Sequence, residues 1–349
     1  MTATQASKAG FESARAAVPD EGREREACLG IDPKGFTLRP PPPPDQLSDF
    51  YTSEDQLFQT IHMGAATVDV DKWILVIDGL VRRPFALTFD QLRSLPASSV
   101  TSFHECYGSP TKPPTEALWR IGNVTWTGVR LSHLVDLAQP LESAQFVWSD
   151  GLDRGTFAGV ASDRYQKDLP LSKAMGPEVL VAFAMNGQPL GKERGGPVRL
   201  VVPGWFGTNS TKWLCRLTLQ DKRALGPYTT TFYNEIDPGD PLEKRRRPVW
   251  AVEVNSMIVS PAPDSVIRQS AVAVEGWAWC HEPVAKVLVK RAAEQHWVEA
   301  DVAERVDFSW QKWTASFVLP DGEHTLVARA VSRSGQEQPL TGGGITYTG

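Results

Sequence analysis

Cys106 is the residue of this chain best placed to do chemistry. It lies in T-S-F-H-E-C-Y-G-S-P-T, residues 101–111. Val100, Thr101 and Phe103 favour a strand, and Gly108, Ser109 and Pro110 mark a turn. A thiol delivered at a strand end and held by a turn can bind a metal or attack a substrate. A free cysteine is more often a small buried hydrophobe, so this stretch alone does not decide.

A second group follows in G-K-E-R-G-G-P-V-R-L-V-V-P-G, residues 191–204, which sets Arg194 and Arg199 around a glycine turn and a buried strand. The chain then runs through Trp205 into T-N-S-T-K-W, residues 208–213. Glycines, hydroxyls and a lysine beside arginines are what an anchored phosphate needs. A structural salt bridge accounts for Arg199 equally well.

The elements that must position these groups are short. An apolar run over residues 73–77 reads as a buried strand ended by Asp78-Gly79. Residues 89–95 read as a helix stopped by Pro96, and 131–137 as an amphipathic helix. Strands are expected over 145–149, 179–185, 198–202 and 213–219, with Asn186-Gly187 as a hairpin turn. This is an α+β domain, set over residues 46–247. From residue 248 to 349 the pattern is purely β. Six strands, at 252–259, 271–279, 285–290, 297–302, 314–319 and 325–332, predict an immunoglobulin-like sandwich. No cysteine pair crosses it, so Trp277, Trp279, Trp310 and Trp313 are its expected core or interface. Residues 1–45 read as a disordered arm ending in the polyproline strap of residues 40–44.

Composition bounds the rest. The chain has 349 residues, enough for two cores, with 41% hydrophobic and 22% charged content. A net charge of −5 implies no general nucleic-acid surface. The basic run Lys244-Arg245-Arg246-Arg247 reads as a solvated linker rather than a guide for an acidic acceptor. The four cysteines form no C-x-x-C pair, which argues against a cysteine zinc site and for a reducing compartment. The first residues lack the apolar core of a signal peptide, and no run is long enough to span a membrane. A cytoplasmic location is the expectation.

The order of segments resembles the sulfite oxidase family of molybdenum enzymes from about residue 47 onward. The resemblance is carried by D-G-L-V (78–81), the lone Cys106 with Gly108, and I-G-N-V-T-W-T-G-V-R-L (121–131). It continues through G-L-D (151–153), M-N-G-Q-P-L (185–190) and G-P-V-R-L-V-V-P-G (196–204) with its following S-T-K-W. G-W-A-W (276–279) and W-x-x-W (310–313) match the family's dimerisation domain.

That resemblance implies a molybdenum atom held by one pterin dithiolene and by the Cys106 thiolate, a soft ligand suited to the metal. It places His62, Asp153, Arg194, Arg199, Ser210, Thr211 and Lys212 on the cofactor, with Arg194 standing where the family usually has histidine. It makes Tyr233 the active-site tyrosine and Trp119 a candidate pocket wall. It also implies a homodimer through the C-terminal domain. No paired-histidine haem segment precedes Pro40, so electrons are expected to leave to an external acceptor without haem.

The match breaks at the substrate. The family binds sulfite, a small dianion, with several arginines. Here Thr60, Ser109, Pro110, Thr111 and Asn209 occupy those positions, with Lys112 as a possible repair, and Cys280, His281 and Glu282 follow Trp279. Each charge-assisted hydrogen bond is worth roughly 1.5–3 kcal/mol, so sulfite is expected to be a poor substrate. A neutral, less charged or larger organic substrate fits better. Two alternatives stay open: a true sulfite oxidase with a rearranged anion pocket, and a cofactor-free scaffold that keeps the fold.

Overall fold

The computed structural model describes Asp20 and residues 22–109, 119–237, 239–242 and 244–339. Among the described residues no helix is long and apolar enough to cross a membrane. The substituted positions Pro110 and Thr111, and Lys112, lie outside the described residues.

Two five-stranded sheets form the first part. In the first, β5 (Ile74–Gly79) and β16 (Leu214–Gln220) run parallel at the centre. They are flanked by β6 (Phe85–Thr88) on one side and by β9 (Phe146–Gly151) then β12 (Gln166–Pro170) on the other. Leu75, Val76 and Ile77 are buried on both faces, which explains the unbroken apolar run rather than an alternation. Gly79 ends β5 at φ +85°, and a Cβ there would meet the Leu219 carbonyl oxygen at 2.2 Å. In the second sheet β7 (Ala97–Glu105) pairs with β8 (Ile121–Arg130), then β13 (Leu180–Met185). β13 is paired on its outer edge by β14 (Gln188–Pro189) and β15 (Arg199–Val201).

Helices are few and short. α1 (Phe89–Ser94) starts on a reciprocal cap between Thr88 and Gln91. α2 (Leu131–Ala138) buries Leu131, Leu134, Val135 and Ala138, one helical face. α3 (Leu171–Ala174) and α4 (Pro227–Thr230) are single turns.

The expected disordered arm is corrected from Gly22 onward. β1 (Cys28–Ile31) pairs with β4 (Ala66–Val68), and β2 (Thr37–Arg39) pairs with β3 (Gln59–Ile61). Polar composition hid these strands because they are half-exposed and complete their ladders with distant segments. Two hairpins stand apart, β10 (Gly155–Phe157) with β11 (Val160–Ser162), and β17 (Asn234–Ile236) with β18 (Arg246–Pro248). The basic run therefore belongs to an ordered hairpin. Arg245 pairs with Asp237 at 2.6 Å, and Arg247 with Glu235 at 3.0 Å and Glu253 at 3.1 Å.

The six C-terminal strands fall where the sequence pattern sets them: β19 (Asn255–Ser260), β20 (Ala271–Trp279), β21 (Val284–Arg291), β22 (Val298–Val302), β23 (Gln311–Val318) and β24 (Leu326–Ser332). They form one path, β19-β20-β23-β22-β21-β24, with β22 shared between its halves. The two end strands lie together, and Gln338 bridges them by bonding Ser256, Asn255 and Ala330. The sheet is thus nearly closed around Trp313 and its valines. A separate cluster joins the two parts: Phe103, Tyr107, Trp119, Ile121 and Phe206 pack with Trp277, Trp279 and Trp310.

Candidate active site

Cys106 sits one residue past the end of β7. The backbone holds it twice, by its N–H donating to the Arg120 carbonyl (2.9 Å) and by Ser109 N–H donating to the Cys106 carbonyl (2.9 Å). Ser109, fully buried, accepts the Arg120 N–H at 3.0 Å and so latches the turn. The sulfur has two polar neighbours, Gly108 N–H at 3.4 Å and Thr60 Oγ1 at 3.7 Å. Donors around a half-buried sulfur suit a thiolate ligand.

A cleft opens beside this sulfur. Its lining includes His62, Asp153, Arg194, Arg199, Ser210, Lys212 and Tyr233. The structure thus brings together every predicted site residue except Thr211 and the candidate wall Trp119. Thr211 is fully buried and turns away, its hydroxyl 2.7 Å from Ser149 Oγ. Trp119 does not line the cleft; it packs edge-on against Trp279 with centroids 5.8 Å apart.

The deep end is cationic. Arg194 donates to the carbonyls of Phe58, Leu57 and Glu54 at 2.6–2.8 Å. Arg199 donates to the carbonyls of Arg194 and Ser210, each at 3.1 Å, and lies over the Trp126 ring. Lys212 donates to the carbonyls of Thr60 and Glu193. Gly195, at φ +91°, gives the Lys212 stem its room; a Cβ there would meet Lys212 Cβ at 2.6 Å. Burial first, then the neighbouring cations, pull Arg194 down to about 10, Arg199 to about 9 and Lys212 well below the lysine range.

Asp153 is the acid of this cleft. Burial raises it to about 7, and its Oδ1 is buried with no hydrogen-bond partner among the described residues. A buried acceptor without a donor, beside three cations held only by carbonyls at close range, fits a bound molecule with N–H donors and an anionic group. A pterin carrying a phosphate has both. The donor set therefore fits molybdopterin.

At the cleft's other side His62 Nε2 and the Tyr233 hydroxyl share a short hydrogen bond. Tyr233 holds φ +57°, a conformation few side chains adopt, which aims the ring inward. Burial, Lys212 and Lys167 pull His62 down to about 3, and burial pushes the Tyr233 phenol well up. Both are neutral at pH 7.

Sequence reasoning missed three residues here. His104 lines the cleft and stacks on Phe58; as residue i−2 of Cys106 on one strand, it shares a sheet face with the thiol, and that spacing was a usable signal. Tyr165 lines the wall and donates to the Thr208 carbonyl at 2.7 Å. Arg120 brings a guanidinium to the Cys106 turn: a Cβ at Gly108 would lie 2.5 Å from Arg120 Nη1 and 3.7 Å from Cys106 Sγ. Nothing in W-R-I-G marked it.

A half-buried thiol, a cluster of three cations and a hydrogen-bonded His62–Tyr233 pair meet in one cleft, an arrangement that suits a redox cofactor carrying an anionic group. Residues 62–228 match the family model described as "Oxidoreductase molybdopterin binding domain". The chain is 29% identical to human mitochondrial sulfite oxidase over 328 residues, covering 86% of this chain and 59% of that protein. It is 25% identical to Arabidopsis thaliana sulfite oxidase, covering 90% and 89% of the two chains. The chain thus spans about three fifths of the mitochondrial relatives it matches. The crystal structure of the sulfane dehydrogenase SoxCD from Paracoccus pantotrophus superposes with TM-score 0.74 at 28% identity, over 94% of this chain and 82% of that one. Residues 62–228 thus match a molybdopterin-binding oxidoreductase domain, and the chain is similar over most of its length to sulfite oxidases.

Proposed function

We propose that this protein performs a two-electron oxo transfer on a small substrate less charged than sulfite. The single observation that carries the reading is the replacement of pocket arginines by residues that do not present charge. Thr60 lines the cleft beside Cys106 as a neutral hydroxyl. Ser109 is consumed in the turn, and Asn209 is buried, donating to the carbonyls of Phe206 and Val249. Arg120 is the cation at this end, and one guanidinium suits one negative charge better than two.

Arg194, Arg199, Lys212 and Ser210 would hold the phosphate end of molybdopterin, Asp153 its ring N–H groups, and Cys106 the molybdenum. When bound, the cofactor supplies the two-electron redox step. In the oxidative direction, substrate and water give oxygenated product, two protons and two electrons, the electrons passing to an external acceptor. Tyr233 and His62 supply a neutral hydrogen-bond pair that orients substrate oxygen and takes up or releases a proton. A sulfane-type sulfur compound, as in the name of the matched Paracoccus enzyme, is compatible with this pocket. The C-terminal sheet is read as the immunoglobulin-like dimerisation domain of a C2 homodimer.

A true sulfite oxidase is the second reading, and Arg120 favours it, together with the sulfite oxidases among the relatives. The cofactor-free scaffold is disfavoured by the clustering of Arg194, Arg199 and Lys212, whose hydrogen bonds go to backbone carbonyls. The test is metal and pterin analysis of the protein and of Cys106→Ser, with sulfite-dependent dye reduction on the same samples. About one molybdenum per chain with no sulfite turnover supports the proposal. Efficient sulfite turnover selects the second reading, and no metal or pterin from cells able to make the cofactor selects the scaffold.

A further inference from the structure

Lys167 is fully buried, at 0% exposure, and does not line the cleft. It lies on β12 opposite Ser149 of β9. The next residue, Asp168, does not neutralise it: Arg223 takes both Asp168 oxygens at 3.0 and 3.1 Å, and Ala224 N–H adds a third bond at 2.8 Å. The Lys167 ammonium instead donates to the Tyr228 carbonyl at 3.0 Å and sits 5.5 Å from the centre of the Tyr233 ring. A cation so placed is attracted by the ring face. Burying a lysine without a carboxylate is expensive, and burial pulls this one down to about 7. Nothing in the cradle uses it.

The position of Lys167 relative to His62 gives it a role. The imidazole is boxed by the rings of Phe157, Tyr165, Tyr228 and Tyr233, with centroids 4.7–5.8 Å away. The cations acting on it are Lys212, which also lines the cleft, and Lys167 from β12; Asp153 is the acid of the same cleft. The partner of His62 Nε2 is the Tyr233 hydroxyl, which is attached to the ring that Lys167 faces. Three arrangements of that hydrogen bond are possible. A protonated imidazole, or a neutral one with its proton on Nε2, would donate to the phenol oxygen; a neutral one with its proton on Nδ1 would accept from the phenol. A positive charge nearby disfavours the imidazolium, and an ammonium on the face of the phenol ring draws density from it, making its O–H the better donor and its oxygen the poorer acceptor for an imidazole N–H.

We propose that Lys167 is the positioning residue of the Tyr233–His62 pair, its ammonium fixing the hydrogen bond with the phenol as donor and the imidazole as acceptor. The phenol oxygen, which also hydrogen-bonds the Thr208 side chain, then keeps a lone pair for the cleft, where it accepts a proton-bearing substrate or product group. This role concerns residues of the chain alone and does not depend on which substrate is turned over.

The test is nitrogen NMR of histidine-labelled holoprotein, with the His62 signal assigned by His62→Gln. In the wild type, His62 carries its proton on Nδ1 and stays neutral down to pH 5. Lys167→Met, which keeps length and loses charge, raises the His62 midpoint by at least one pH unit, and Lys167→Arg restores the wild-type value. An unchanged midpoint in Lys167→Met overturns the proposal. So does a wild-type proton on Nε2, which needs no variant and decides the matter even if Lys167→Met does not fold.

Discussion

The indole N–H of Trp279 donates to Glu105 Oε2 at 2.8 Å, so a tryptophan of the C-terminal sheet grips the residue immediately before Cys106. Further bonds tie the same strand to the C-terminal part: Phe103 N–H donates to the Phe308 carbonyl, and Phe308 N–H to the Thr101 carbonyl, each at 3.0 Å. The C-terminal sheet is thereby part of the frame that holds the thiol. Glu105 is buried, and burial raises it to about 8 against the hydrogen bonds from Trp279 and Ser109.

This pair yields a pH-dependent prediction. A carboxyl whose folded value is raised above 4.5 holds its proton more tightly in the folded state. Its contribution to stability is therefore complete below about pH 4.5 and is lost as pH rises toward 8. Glu105→Gln keeps the shape and removes the titration. In cofactor-free protein, its stability relative to wild type should improve by a few kcal/mol, on the order of magnitude set by such a shift, between pH 5 and pH 9. Urea unfolding at both pH values checks it, and a flat difference would mean the carboxyl ionises freely. Trp279→Phe should cost about 1–3 kcal/mol by orphaning the carboxyl.

The anion cradle makes a second prediction. Arg199, Arg194 and Lys212 repel one another in a buried site, so an anion that binds among them stabilises the fold by mass action. Millimolar inorganic phosphate should raise the Tm of cofactor-free wild type by several degrees and do much less for Arg199→Met. Pterin retained through purification, read by its fluorescence after release, should fall at least tenfold in that variant. Equal phosphate stabilisation in both proteins would remove Arg199 from the cradle.

What was legible in the sequence divides along physical lines. The long apolar strands, the helix stopped before Pro96 and the tryptophan-rich C-terminal strands were legible because their signals are local. The cradle residues were legible because glycine turns and buried cations leave a spacing that the family shares. The half-exposed N-terminal strands were not, since β1 and β2 exist only by pairing with β4 and β3. Arg120 and Lys167 were not legible either. Each takes its role from a neighbour distant in sequence or from a turn geometry, Lys167 from Tyr233 and Arg120 from the bend at Gly108.

Tyr233 carries a third prediction. Its hydroxyl is bonded to His62, and its backbone sits at φ +57°. Tyr233→Phe keeps the ring and the Lys167 contact but removes the proton donor. Turnover should fall by about 10²–10⁴-fold, the range general acid–base groups supply, with molybdenum and pterin content unchanged. Loss of cofactor together with activity would instead make Tyr233 part of the cradle.

Thr60 tests the substrate reading directly. Its side chain is 3.7 Å from Cys106 Sγ and lines the cleft, while its carbonyl is held by Lys212. Thr60→Arg would place a guanidinium beside Arg120 at the reacting end, and two forked donors match a dianionic oxyanion. One added charge-assisted hydrogen bond is worth about 1.5–3 kcal/mol, or roughly 10- to 150-fold in affinity. Thr60→Arg should therefore lower the KM for sulfite by at least tenfold, and Arg120→Met should raise it in both backgrounds. Steady-state dye reduction with sulfite measures this on samples matched for molybdenum content. If wild type already binds sulfite tightly and Thr60→Arg adds nothing, the charge argument fails and the sulfite oxidase reading stands.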